Sequence, residues 1–111
     1  MATAIFVHDG DSIDYTPSSD VAAGDVVVQG DLIGVAKRDI PAGTLGALAV
    51  TGVFDMPKLA NAGVTIAAGA KVYWAESPKV VMHDSGAGPY LGKAVKAAAD
   101  ADATVRVRLE Q

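Results

Sequence analysis

Thr104-Val105-Arg106-Val107-Arg108-Leu109 puts Val105, Val107 and Leu109 on one side of an extended chain and Thr104, Arg106 and Arg108 on the other. A period of two is the mark of a half-buried strand, because successive strand side chains point to opposite faces of a sheet. Working back from this segment, most other short apolar runs are closed by Gly or Pro before they would complete a helix of ordinary length, and several are rich in β-branched residues. Tyr90 to Val95 forms the run before it. Lys71 to Trp74 and Lys79 to Met82 flank Glu76-Ser77-Pro78, and Leu45 to Val50 pairs with Gly52 to Met56 around Thr51-Gly52. Pro57 lacks the amide that a central ladder would need, so the second of these runs ends there. Asp25 to Val28 and Leu32 to Ala36 enclose Gln29-Gly30-Asp31 as two close strands. Ala4 to Val7 and Ser12 to Thr16, joined through His8-Asp9-Gly10-Asp11, read as an opening hairpin.

One pattern recurs three times: Val21-Ala22-Ala23-Gly24, Ile40-Pro41-Ala42-Gly43 and Ile66-Ala67-Ala68-Gly69, each followed by a strand. Gly in the fourth place supplies the positive φ of a tight turn. The uneven spacing excludes a solenoid and suggests turns feeding the strands of a compact barrel or sandwich. The alanines between Gly92 and Asp102 are the best helix formers present, and a strand ending near Val95 followed by a turn or helical turn is expected there. Pro57 to Asn61, capped by Gly63, is the other candidate for one helical turn. The expected fold is a single all-β domain over residues 1–111, with a core of Val26, Val28, Leu32, Ile33, Val35, Leu48, Val50, Val53, Ile66, Val72, Val95, Val105, Val107 and Leu109.

Half of the 111 residues are hydrophobic but only 5% are aromatic, so the core is built in thin layers from Ala and Val. Thirteen acidic residues against 9 basic ones, a net charge of -4 at pH 7, disfavour a phosphate backbone as partner. With 0 cysteines there is no disulfide framework, thiol nucleophile or Cys zinc site, and stability must come from packing or from other chains. No segment approaches the ~20 apolar residues of a membrane-spanning helix, and no basic region precedes an apolar stretch at the start, so a soluble, unprocessed chain with no membrane partner is expected.

Several clusters invite a chemical reading. Gly92-Lys93, in Gly86-Ala87-Gly88-Pro89-Tyr90-Leu91-Gly92-Lys93-Ala94, resembles part of a phosphate-binding loop. However, Ala87 stands where the first Gly belongs and Ala94 where a Ser or Thr would hold magnesium. His8, Asp9, Asp11 and Asp14 would suit a hard cation, yet they lack the spacing and distal Glu of a calcium loop, and Asp and Gly favour turns for conformational reasons. His83-Asp84 would orient an imidazole for base catalysis, but none of Ser12, Ser18, Ser19, Ser77 and Ser85 lies in a nucleophile turn. Lys58 after Asp55-Met56-Pro57 is set beside the carrier lysine of lipoyl or biotinyl domains. The Pro before it and the lack of a following Met make it a solvated loop residue instead. No catalytic, cofactor-binding or metal-binding residue is therefore assigned, no cofactor is expected, and an enzyme is not. Tyr73-Trp74 puts two rings on opposite faces of one strand, one for the core and one either at an interface or closing a barrel end.

The ordered set Gly24 to Ala36, Ile40 to Phe54, Pro57-Lys58, Ala68 to Trp74, Leu91 to Ala94 and Thr104 to Leu109 resembles the small capsid-decoration, or cement, proteins of tailed phages and prophages. Some members of that family carry the label of predicted RecA/RadA recombinases. The resemblance implies a β-rich structural virion protein that binds the outside of a phage head, contacts the major capsid protein and stabilises the lattice, commonly as a homotrimer. It would lie on the capsid surface, and in the bacterial host cytoplasm during assembly. The alternatives are an NTP-binding recombination enzyme, which the incomplete loop at Lys93 opposes, and a small metal- or glycan-binding β module using Asp9, Asp11 or Asp14. Residues 1–19 are the candidate for an arm reaching a capsid or a neighbouring protomer, the alternative being the ordinary first hairpin. The acidic balance implies shell contacts that are mainly apolar or made to basic capsid residues.

Overall fold

The structure is a computed structural model that describes residues 3–60 and 63–111. Its strands are β1 (Ser12–Tyr15), β2 (Val26–Gln29), β3 (Leu32–Ala36), β4 (Gly46–Ala49), β5 (Thr51–Pro57), β6 (Lys71–Ala75), β7 (Val80–Met82), β8 (Tyr90–Ala94) and β9 (Thr104–Glu110). A single 3₁₀ turn at Ser85–Ala87 is the one helical element among the described residues. Two antiparallel sheets result, the first ordered β1-β4-β3-β2 and the second β5-β9-β8-β6-β7. An isolated bridge between Lys58 and Val81 draws the two ends of the second sheet together without closing a barrel.

The three recurring turns share one geometry. The amides of Asp25, Thr44 and Ala70 donate to the carbonyls of Ala22, Pro41 and Ala67 at 3.0, 3.1 and 3.1 Å. Gly24, Gly43 and Gly69, at φ of 92°, 76° and 83°, fill the position that a type II turn reserves for positive φ. A fourth turn, Ala99 to Asp102, closes with the corresponding hydrogen bond at 3.0 Å but without glycine or a positive φ, and this is where the alanine-rich segment goes. The turns lock in pairs: Val21 and Ile40 exchange two backbone hydrogen bonds of 2.9 and 2.8 Å, and Ile66 and Ala98 exchange two of 2.9 and 2.8 Å.

These pairs expose an internal duplication. Gly24 donates to Ala36, which donates to Asp25; in the same way Gly69 donates to Ala94, which donates to Ala70. The β2-β3-β4 ladder of the first half thus corresponds to β6-β8-β9 of the second, flanked by β1 and β5 respectively. Where the first half turns through Gly30-Asp31, the second inserts Glu76 to Pro89, which builds β7 and the 3₁₀ turn.

The larger core lies inside the second sheet, where Met56, Val72, Trp74, Val81, Leu91, Val105, Val107 and Leu109 meet Ile66, with Ile33 and Val35 of β3 pressed onto them. Ala36, Ile40 and Leu48 form a smaller core on the other side of the first sheet, with Ile13, Tyr15, Val21 and Val27 packed around it. β3 is covered on both faces, which is why Leu32 to Ala36 reads as a continuous apolar run. A bulge opposite Val72 and Tyr73 rotates β8, sending Leu91 into the core and Tyr90 outward.

Several expectations from the sequence are corrected. Ala4 to Val7 pairs with no strand among the described residues; β1 pairs instead with β4, so the expected opening hairpin is not formed and Ser12 onward belongs to the domain. Leu45 to Val50 and Gly52 to Met56 are not partners, because the chain changes sheet between them. Pro57 ends an edge strand and Lys58 forms a bridge, so no helical turn starts there; Asn61 lies outside the described residues, as do Met1 and Ala2. Val28, Val53 and Val95 are exposed, while Val26 and Leu32 are half-buried. Val53 stands opposite Arg108 on the outer face of its sheet, leaving the inner face of β5 to Phe54 and Met56.

Gly34 and Gly92 occupy corresponding places and both exist for lack of a side chain. A Cβ on Gly34 would lie 2.6 Å from Leu48 Cβ, and one on Gly92 would lie 2.0 Å from the Arg108 carbonyl oxygen. Gly92→Ala is expected to force β8 from β9 and to cost at least about 3 kcal/mol in a urea unfolding titration. Gly10→Ala, with nothing within 4 Å, should stay within about 0.5 kcal/mol of the parent.

Candidate functional site

Each of the chemistry-bearing clusters takes a definite place in the fold. Gly92-Lys93 sits inside β8, its backbone committed to the neighbouring strands rather than forming an open loop. Gly88 approaches the Trp74 carbonyl so closely that a Cβ would lie 1.9 Å from that oxygen. Asp84 accepts from the Gly86 amide at 3.0 Å and so starts the 3₁₀ turn, while His83 Nε2 donates to the Gly63 carbonyl at 3.0 Å; the two do not form a catalytic pair. Asp11 accepts from the Thr51 hydroxyl at 3.3 Å, and the His8 ring contacts the Asp9 carbonyl at 2.5 Å. Among the described residues, no three His, Asp or Glu side chains converge as metal ligands, and no helix is long and apolar enough to cross a membrane.

Lys58 overturns its expected place in solvent: it is 4% exposed. Its Nζ donates to the carbonyls of Leu59, Asp100 and Asp102 at 2.8, 3.1 and 3.2 Å, which uses all three ammonium protons. Its amide donates to Ala103 at 2.9 Å, so a single residue fastens the end of β5 to the fourth turn. The turn itself is held by Asp100, which accepts from the Thr65 hydroxyl and, at 3.2 Å, from the Gly63 amide. Those hydrogen bonds, the Thr65 one foremost, hold the Asp100 carboxyl below the usual aspartate range. Sequence reasoning missed this knot because a lysine's carbonyl acceptors come from segments distant in the chain.

The outer face of the second sheet carries a group of charged and aromatic side chains outside the core. Lys71 stands opposite Lys93, and Lys93 opposite Arg108, three cations side by side across β6, β8 and β9. Like charges placed directly opposite repel. Glu110 is shared between Lys93 at 3.9 Å and Arg108 at 3.6 Å, whereas Lys71 makes no ion pair among the described residues. Arg106 grips Asp55 with two hydrogen bonds of 2.8 and 3.2 Å, and this contact keeps the Asp55 carboxyl low. Tyr73 and Tyr90 meet edge to face with centroids 5.8 Å apart, and Val53 and Val95 lie exposed among the cations. Tyr90 donates to Glu110 at 3.0 Å; burial first and this bond second push its phenol pKa up. Trp74, on the opposite face of β6, is buried and donates to Glu76 at 2.8 Å, so one ring of the pair is core and the other faces outward, as expected.

The duplication gives this face its meaning. Its cationic row corresponds to Val26, Val35 and Ala49 of the first half, the row on the side of the first sheet that packs against the larger core. One copy of the face is apolar and covered from within, and the other is cationic and open. Charge divides likewise: residues 1–50 hold seven aspartates against Lys37 and Arg38, while residues 51–111 hold seven bases against six acids.

A family model described as phage cement protein matches residues 7–109. The chain belongs to the phage cement protein family. Searches of curated proteins and of solved structures find no match. As a family member it is a phage structural protein with a capsid-stabilising role.

Two outcomes follow. Lys58→Met keeps the stem and removes the donors, so the three carbonyls lose the group that ties them together and the urea midpoint should fall by the equivalent of about 2 kcal/mol. Because the Asp100 pKa is lower in the folded chain than in the unfolded one, its contribution is present above the ordinary aspartate range and is lost as pH falls through the folded value. Asp100→Asn should therefore flatten the fall of stability in acid while lowering stability at neutral pH, read by denaturation across a pH series.

Proposed function

We propose that this phage cement protein is a non-enzymatic decoration subunit that binds the outside of a tailed-phage head, bridges joints between major capsid subunits and does so as a homotrimer. The observation that carries the reading is the family match along nearly the whole chain. The open face of the second sheet supplies a physical route. Val53, Val95 and Tyr73 offer apolar area, and Lys71, Lys93, Arg106 and Arg108 ring it with charge that steers and registers an acidic capsid surface. The acidic composition had pointed to apolar contacts or basic capsid residues; the uneven placement of charge now favours acidic capsid residues for this face. Weak individual contacts suffice on a lattice, since linked subunits bind with gains no single contact provides. The recombinase alternative is not favoured, because Gly92-Lys93 belongs to a strand rather than to a phosphate loop.

Co-sedimentation with expanded heads of the encoding phage tests the role. The full chain should pellet with heads, and Lys93→Glu with Arg108→Glu should weaken binding about tenfold or more, a loss of about 1.4 kcal/mol per decade. Failure of folded protein to bind any head would overturn the function. Binding that ignores the charge reversal would overturn the choice of face.

A further inference from the structure

The two halves differ at one edge. In the second half, β6 carries β7 along its outer edge, pairing Tyr73 with Met82, Trp74 with Val81 and Ala75 with Val80. In the first half the corresponding strand, β2, ends its sheet with β3 as its one strand partner. The Glu76 to Pro89 insertion that supplies β7 has no counterpart between β2 and β3, where Gly30-Asp31 makes a tight turn. Asp25 accepts from Ala36, so the alternation of an antiparallel ladder turns the backbone groups of Val26 and Val28 outward, toward the vacant position. A bare edge of three consecutive valines is a template for another strand.

The same chain carries a segment suited to that place. Ile5, Phe6 and Val7 are 88%, 80% and 82% exposed, pair with no strand among the described residues, and combine β-branched and aromatic side chains of high strand propensity. A strand made of residues 4–8 cannot lie along its own β2, because His8 does not reach that far. That position lies beyond three strands from β1, about 19 Å across the sheet at ~4.8 Å per strand. The four Cα steps from Ser12 back to His8 reach at most about 15 Å.

We propose that the edge of β2 receives the N-terminal segment, residues 4–8, of a second copy of this chain as an added strand, in the place that β7 takes on β6. Backbone hydrogen bonds to the edge supply affinity, and the alternating Ile5, Phe6 and Val7 side chains supply register. Donor and acceptor are different surfaces, so the contact is head-to-tail and closes into a ring when the rotation between copies permits. The inference goes beyond the capsid role and is read on the isolated protein, so its failure leaves head binding standing, and the reverse holds too.

The cysteine-free chain allows a direct test. Phe6→Cys and Val28→Cys, both at exposed positions, are made as separate proteins and mixed under mild oxidation. The expected result is a disulfide-linked mixed dimer well above the dimer formed by either protein alone. A mixture showing no more dimer than the separate controls overturns the proposal, as does linkage to Asp14→Cys on the opposite edge strand in preference to Val28→Cys. Light scattering supplies the second measurement. Removing residues 1–9, which leaves β1 intact, should reduce the mass to that of a monomer, and an oligomer of unchanged mass overturns the proposal.

Discussion

Two reciprocal pairs of backbone hydrogen bonds, Val21 with Ile40 and Ile66 with Ala98, hold the rest of this fold in place. Each pair clamps the turn that leads into one strand against the turn that leads into another, so β2 and β4, and likewise β6 and β9, start from fixed positions on either side of a central strand. The clamp residues are themselves buried or half-buried and roof the sheet below them. A chain with few aromatic side chains gains little from any single contact, so it relies on many backbone bonds and short, tightly spaced layers. Gly34 and Gly92 follow from this economy, since the central strands lie too close to their neighbours for a methyl group.

Duplication explains why one half looks like core and the other like surface. Both halves use the same ladder, but the Val26, Val35 and Ala49 face of the first lies on the core side, while the Lys71, Lys93 and Arg108 face of the second meets solvent. Three aligned cations cost stability by mutual repulsion, and the single shared carboxylate of Glu110 offsets only part of it. A surface that keeps such a row beside exposed valines is better matched to an opposing acidic, partly apolar surface than to water.

The second half also departs from the first where stability is at stake. Its alanine-rich fourth turn lacks the glycine of the other three, and Lys58 and Asp100 hold it instead, one donating to carbonyls and the other accepting from Thr65 and Gly63. A buried ammonium is tolerable when each of its protons has an acceptor, and here all three do. The inserted β7 covers an edge in this half and delivers Val81 to the core, something β2 in the first half does without.

The sequence by itself determined the all-β class, the run of strands from Leu32 to Leu109, the turns at Gly24, Gly43 and Gly69, and most of the core, because period-two alternation and positive-φ glycine are local properties written in neighbouring residues. It also carried enough ordered resemblance to indicate the family. Partnership between strands was decided only in three dimensions. Nothing local tells that β4 and β5 part company at Val50, that β1 crosses to β4, or that Val53 and Val95 turn outward while Met56 and Leu91 turn in. Those outcomes depend on which sheet covers which face and on one bulge in β8. Lys58 is the sharpest case: beside Pro57 it reads as a loop lysine, and only the return of Asp100 and Asp102 from a distant part of the chain supplies the carbonyls that make its burial stable.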